Sequence, residues 1–140
     1  PAARYPALYR CTVLTTKYLR LHGGWPIVNE TQAMRAKPNV YTGNSAMDLT
    51  LSPTVLAAVL RQWLAEFPDK VLFGTDAFET DAGQGWEQAA WVASTTARKA
   101  LAIALTGMMR DGESGRDRAQ ALARMVLREN AIAAYGLRDR

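Results

Sequence analysis

The sequence has 140 residues, of which 49% are hydrophobic, and carries a formal net charge of +4. This length and composition suit one globular domain and exclude collagen-like and largely disordered chains. Every apolar stretch is interrupted well before the ~20 residues that a membrane helix needs, so we expect no membrane partner. The positive residues are scattered and form no basic stripe, so we expect no nucleic-acid partner.

Two features of the sequence bear on its cellular location. Cys11 is the single cysteine, which excludes an intrachain disulfide and favours the reducing cytoplasm. The chain starts at Pro1 and shows no signal-peptide pattern. We therefore expect a cytoplasmic protein, and we expect further sequence upstream of Pro1.

The first third of the chain predicts a strand, a short helix and a second strand. Residues 17–22 are prone to form a strand, which a glycine pair closes. Residues 29–36 suit a short helix that ends before Pro38. Residues 39–42 form the second predicted strand, and Gly43-Asn44-Ser45 closes it.

The middle of the chain gives the clearest helix and a third strand. Ser52 is a good N-cap, and Pro53 fits the first helical position. A wide apolar face follows at helical spacing, made of Val55, Leu56, Val59, Leu60, Trp63, Leu64 and Phe67. Residues 70–76 then form the third predicted strand.

The last part of the chain predicts helices. An alanine-rich helix over residues 87–110 is broken by Asp111-Gly112, and we expect Trp86 and Trp91 to pack into the core at its start. Ser114 and Asp117 suit a capping box for the next helix. A final helix over residues 130–135 ends at Gly136, a typical left-handed C-cap.

The alternation of strands and helices predicts parallel βαβ units and an α/β fold. Three strands are too few for a closed barrel, which needs eight strands and ~250 residues. Alone they would expose two sheet edges. We therefore interpret the chain as part of a larger domain, with an open three-layer α/β sheet as the alternative.

Two polar residues lie at the C-terminal ends of predicted strands, where reactive groups gather in parallel α/β proteins. His22 ends the first strand and Asp76 ends the third. Asp76 is suited to bind a divalent cation and to accept a proton from water, and His22 to orient that water. One histidine and one aspartate are too few for zinc, which usually takes at least three protein ligands.

Strand alternation gives a check on this pair. If Asp76 faces a barrel interior, Gly74 and Leu72 face it as well, which suits a packed core. If His22 faces inward, Arg20 does too, and a buried arginine then needs an acidic partner.

Several runs of residues together resemble a known family, the amidohydrolase superfamily, and within it the second half of the amidohydrolase-related (type 2) proteins. The chain is similar to the branch that includes the amidohydrolase-like part of some glutamine synthetase fusion proteins. The resemblance covers nearly the whole chain. It is carried by Leu-His-Gly-Gly-Trp-Pro (21–26), Lys-Pro-Asn-Val-Tyr (37–41), Lys-Val-Leu-Phe-Gly-Thr-Asp-Ala (70–77), Arg-Lys-Ala-Leu (98–101), Leu-Arg-Glu-Asn-Ala (127–131) and Tyr-Gly-Leu (135–137).

The resemblance implies that residues 1–140 form the C-terminal portion of a metal-dependent hydrolase (β/α)8 TIM barrel, about strands 6–8 and the final helices. His22 then ends strand 6 and Asp76 ends strand 8. Both are expected as metal-binding and catalytic residues, with a divalent metal, zinc by expectation, as the cofactor. The family's His-x-His pair on strand 1 and its strand 5 histidine have no counterpart in this sequence. We expect these residues and the N-terminal strands upstream of Pro1.

The resemblance also implies a function. We expect a hydrolase in which metal-activated water attacks a C–N or related bond of a small-molecule substrate, or an enzyme of metal-assisted decarboxylation. Trp25 and Glu79 are the candidates for substrate contact, and assembly into a homo-oligomer stays open. The alternative is a catalytically silent amidohydrolase-like domain with a structural or regulatory role in a larger protein.

Overall fold

Three short strands alternate with helices in the computed structural model, which describes residues 16–22, 27–79 and 85–137. The strands are β1 (Tyr18–Arg20), β2 (Val40–Gly43) and β3 (Val71–Leu72). The helices are α1 (Ile27–Ala36), α2 (Met47–Thr50), α3 (Pro53–Glu66), α4 (Trp86–Arg110), α5 (Arg116–Arg124) and α6 (Asn130–Tyr135), and a π-helical segment, Met125–Glu129, joins α5 to α6.

The strands form one parallel sheet in the order β1-β2-β3, as the alternation of strands and helices predicted. Tyr18 pairs with Val40, and Thr42 pairs with Val71. Parallel strands joined through helices bring all their C-terminal ends to one edge of the sheet. A three-stranded parallel sheet of this kind fits both a barrel segment and an open three-layer sheet.

One face of the sheet packs against helices. Val40 and Val71 belong to the same apolar core as helical residues such as Trp63. Because side chains alternate along a strand, Thr42 lies on this helix-covered face. Gly43 and Leu72, which are register partners, lie on the opposite face.

Helix α3 supplies much of the core and begins where the sequence predicts. The Ser52 hydroxyl accepts a hydrogen bond from the Val55 backbone N–H at 3.4 Å, and Pro53 occupies the first turn. Trp63 is fully buried, and its Nε1 atom donates a hydrogen bond to Thr31 Oγ1 at 3.4 Å. The partner helix α4 presents mainly small side chains to the core, which lets the two helices pack closely: Ala93, Ala97, Ala100 and Ala104 are all buried.

The C-terminal helices hold β3 in place. The backbone N–H of Phe73 donates to the carbonyl of Val126 at 3.1 Å. The buried side-chain amide of Asn130 donates to the carbonyls of Pro68 and Val71, both at 2.8 Å. These bonds surround β3, so the C-terminal helices position the strand that leads to Asp76.

Several predictions about local structure are wrong. Trp86 and Trp91 are not core residues, because their exposed fractions are 43% and 70%. The N-cap of α5 is Gly115, whereas the hydroxyl of Ser114 donates to the Gly115 carbonyl. Val55 lies on the predicted apolar face of α3 but is half exposed.

Other element boundaries also differ from the sequence prediction. The short helix α2 was not predicted, and β3 is shorter than the predicted strand over residues 70–76. The helix end at Gly136, with φ 66°, is confirmed. Among the described helices, none combines the length and the apolar character that crossing a membrane requires.

Candidate functional site

Polar side chains cluster where the three parallel strands end. His22 follows β1, Asn44 and Ser45 follow β2, and Asp76 lies beyond β3. Because β2 is the central strand, Asn44 and Ser45 lie between the ends of β1 and β3 at this edge. In parallel α/β folds, this edge is where ligands bind and chemistry takes place.

His22 and Asp76 lie together at this edge. Nδ1 of His22 is 3.7 Å from Oδ2 of Asp76, and both side chains are partly exposed to solvent. The distance is too long for a hydrogen bond. It is close to the ~3.4 Å that separates two ligand atoms on one tetrahedral ion with metal–ligand distances of ~2.0–2.2 Å. The nitrogen and carboxylate donors therefore fit a divalent cation such as zinc in type and in spacing.

Both residues have left-handed backbone conformations, with φ 62° at His22 and φ 57° at Asp76. For a residue with a Cβ atom this conformation costs about 1–2 kcal/mol. Such positions are often found at active sites, where the surrounding structure compensates the cost. The left-handed turn at His22 also breaks the strand alternation, so its side chain does not have to share a face with Arg20.

A second polar pair lies buried beside this site. Asp48, in the first turn of α2, is 1% exposed, and Asn44 is also 1% exposed. Nδ2 of Asn44 donates a hydrogen bond to Oδ2 of Asp48 at 3.3 Å. The Oδ1 atoms of both side chains are buried and have no hydrogen-bond partner within the described part of the chain, as is also true of two neighbouring hydroxyls, Thr42 Oγ1 and Ser45 Oγ.

The electrostatic environment of Asp48 connects this pair to Asp76. Burial raises the pKa of Asp48 to about 6, hydrogen bonds from the backbone N–H groups of Asp48 and Leu49 counteract the rise, and the charge of Asp76 adds to it. Among the ion pairs of the described residues, none brings a cationic side chain to Asp48. The strand-end edge therefore carries two carboxylates, Asp48 buried without a cationic side chain in these ion pairs and Asp76 beside His22.

Gly74 lets two loops at this edge approach closely. A Cβ atom on Gly74 would lie 3.2 Å from the Ser45 Cβ, which is shorter than an ordinary van der Waals contact. Gly74 therefore lets the chain leading to Asp76 pass directly beside Ser45.

The structure brings together two of the four residues that the sequence singled out. His22 and Asp76 are neighbours, whereas Glu79 is exposed in the loop that follows Asp76. Trp25 lies outside the described residues. Asn44 and Asp48 were not predicted from the sequence, where Gly43-Asn44-Ser45 indicated only a strand-closing turn. The strand-end rule that selected His22 and Asp76 would also have selected Asn44.

A separate surface groove of about 560 Å³ lies between α3 and α4, away from the strand ends. Its lining includes Thr54, Arg61, Lys99, Ile103 and Arg110 and contains neither carboxylate nor imidazole. It therefore offers no ligand for a metal ion.

Comparison with known protein families, curated proteins and solved structures found no match to this chain. Within residues 16–22, 27–79 and 85–137, no group of three histidine, cysteine or acidic side chains is arranged to hold a metal ion. The candidate site is thus a pair of donors, His22 and Asp76, with the buried Asn44–Asp48 pair behind it.

Proposed function

We propose that this chain belongs to a metal-dependent hydrolase of the amidohydrolase type and supplies the C-terminal strands of its barrel. The observation that carries the proposal is the 3.7 Å separation between His22 Nδ1 and Asp76 Oδ2 at the C-terminal edge of a parallel sheet. The family resemblance of the sequence supports it. Zinc usually takes at least three protein ligands, so the proposal requires further ligands from other strands of the barrel.

Each residue of the pair has a chemical role in this proposal. A bound divalent cation supplies Lewis acidity and lowers the pKa of a coordinated water. Asp76 would hold the cation with one oxygen and, with the other, accept a proton from the attacking water and pass it to the departing group of the substrate. His22, which is half exposed, would hold the same cation through Nδ1 and so help to place the water.

The proposed reaction is the attack of water on a C–N or related bond of a small molecule. Metal-assisted decarboxylation is the alternative reaction. The partial exposure of His22 and Asp76 leaves their polar atoms accessible to a substrate from solvent. Glu79, exposed in the loop beyond Asp76, is the described residue that we propose for substrate contact.

The experiment is a titration of the full-length protein with zinc, with Asp76→Asn as the test variant. The matched control is Asp69→Asn, because Asp69 is exposed and precedes β3, whereas Asp76 lies beyond its C-terminal end. We expect the wild type and Asp69→Asn to bind zinc and Asp76→Asn to lose at least tenfold in affinity. Equal binding by all three would show that Asp76 is not a ligand. A wild type without zinc or other divalent metal would favour the catalytically silent domain.

A further inference from the structure

The buried carboxylate of Asp48 has no role in the chemistry described so far. Burying an ionised carboxylate without a cationic partner is costly. Asp48 is nevertheless 1% exposed, and its clearest side-chain partner is an amide, Asn44 Nδ2, at 3.3 Å. A neutral residue of the same shape would avoid the cost, so the charge itself needs an explanation.

Asp48 cannot act by touching a substrate. The Oδ1 atoms of Asp48 and Asn44 have almost no solvent-accessible surface. Asp48 nevertheless lies near Asp76, because Ser45, three residues before Asp48, packs directly beside Gly74, two residues before Asp76: a Cβ atom on Gly74 would lie 3.2 Å from the Ser45 Cβ. The charge of Asp76 accordingly contributes to the raised pKa of Asp48. Because Asp48 is buried, water and salt screen this interaction less than they screen a pair of exposed charges.

We propose that Asp48, held in place by Asn44, is a positioning residue whose buried negative charge strengthens the binding of a divalent cation at Asp76 without contacting the cation. This inference rests on the proposed function. In the metal-free protein the carboxylates of Asp48 and Asp76 repel each other. A divalent cation at Asp76 replaces this repulsion with attraction, so part of the cost of burying Asp48 is recovered on metal binding.

The local structure supports a fixed position for this charge. Ala46, with φ 60°, turns the chain sharply after β2 and starts α2, which places Asp48 in the first helical turn. Asn44 lies just before that turn and holds the Oδ2 atom of Asp48. The carboxylate is thus fixed by a turn, a helix and a hydrogen bond, so its charge keeps a constant position relative to the strand-end edge.

The test is to measure the affinity and visible absorption spectrum of cobalt(II), a spectroscopic substitute for zinc, in the full-length protein. Asp48→Asn keeps the shape of the side chain and removes its charge. Asp117→Asn is the control, because it removes the same charge from an exposed position on α5. We expect Asp48→Asn to raise the cobalt Kd by ~10-fold with an unchanged spectrum, because the ligands stay the same. The control should stay within twofold of the wild type.

Each other outcome has a distinct meaning. A Kd for Asp48→Asn within twofold of the wild type overturns the inference and leaves the proposed function intact. A changed spectrum also overturns it, because Asp48 would then be a ligand or a support for the ligand geometry. If the wild type binds no cobalt or zinc, the proposed function fails and the inference fails with it. If Asp48→Asn does not fold, Asn44→Ala is measured instead. We expect it to raise the cobalt Kd threefold or more, and an unchanged Kd would overturn the inference.

Discussion

His22 Nδ1 lies 3.7 Å from Asp76 Oδ2, and both residues have positive φ angles of about 60°. The two side chains follow the outer strands of a three-stranded parallel sheet, one at each side of β2. The distance between the two side chains depends on the position of β3 and on the loops around it. Substitutions of Asp48, Asn130 and Lys70 test these surroundings.

The first prediction concerns pH and Asp48. The pKa of Asp48 is raised from 3.8 to about 6, chiefly by burial, so the folded state binds the proton more tightly than the unfolded state. Protonated Asp48 therefore adds to the free energy of unfolding. This contribution is fully present below pH 3.8 and is lost as the pH rises through about 6. The loss is at most about 3 kcal/mol.

The measurement is urea denaturation of metal-free wild type and Asp48→Asn between pH 4 and 7.5. Because the variant lacks this titration, its free energy of unfolding relative to the wild type should increase as the pH rises. A difference that stays constant over this range would contradict the pKa assigned to Asp48.

The second prediction concerns the anchoring of β3 by Asn130. Asn130→Ala removes the hydrogen bonds to the carbonyls of Pro68 and Val71 and leaves both acceptors without their side-chain donor. We expect a loss of about 2 kcal/mol or more in the free energy of unfolding. Gln120→Ala is the control, because Gln120 is exposed on α5, and it should change stability by less than ~0.5 kcal/mol. Equal effects of the two variants would disprove the anchoring role.

The third prediction concerns Lys70 at the start of β3. Its Nζ atom donates to the carbonyls of Met34 and Lys37, at 2.8 and 2.9 Å, and lies 5.6 Å from the centre of the Phe67 ring. Lys70→Met should therefore destabilise the protein by about 1–3 kcal/mol, because it removes two donors from carbonyls at the end of α1. Thermal and urea unfolding measure this. Lys99→Met, at an exposed position on α4, should have almost no effect, and a similar loss in both would argue against these bonds.

Local sequence signals predicted two helix ends correctly, although the capping box at Ser114 was wrong. The Ser52-Pro53 start of α3 and the Gly136 end of α6 are both confirmed, because capping and left-handed glycine act within a single turn. Trp86 and Trp91 were wrongly placed in the core. Their burial depends on which elements lie opposite the start of α4, and the sequence alone does not show that.

The candidate site was predicted in part for a similar reason. The rule that reactive groups follow parallel strands selected His22 and Asp76, and these residues lie together. The left-handed turn at His22 was not visible in the sequence. Because of this turn, His22 and Arg20 do not have to lie on the same face of the sheet. Asp48 was missed because it reaches the strand ends through α2, a short helix without a strong periodic pattern.

The most direct test of the proposed metal site is a crystal structure of the zinc-loaded full-length protein, with anomalous diffraction recorded at the zinc absorption edge. We expect an anomalous peak ~2.0–2.2 Å from a carboxylate oxygen of Asp76, with His22 beside it and Asp48 outside the coordination sphere. A zinc ion bound elsewhere with Asp76 uncoordinated, or no bound zinc at all, would contradict the proposed metal site.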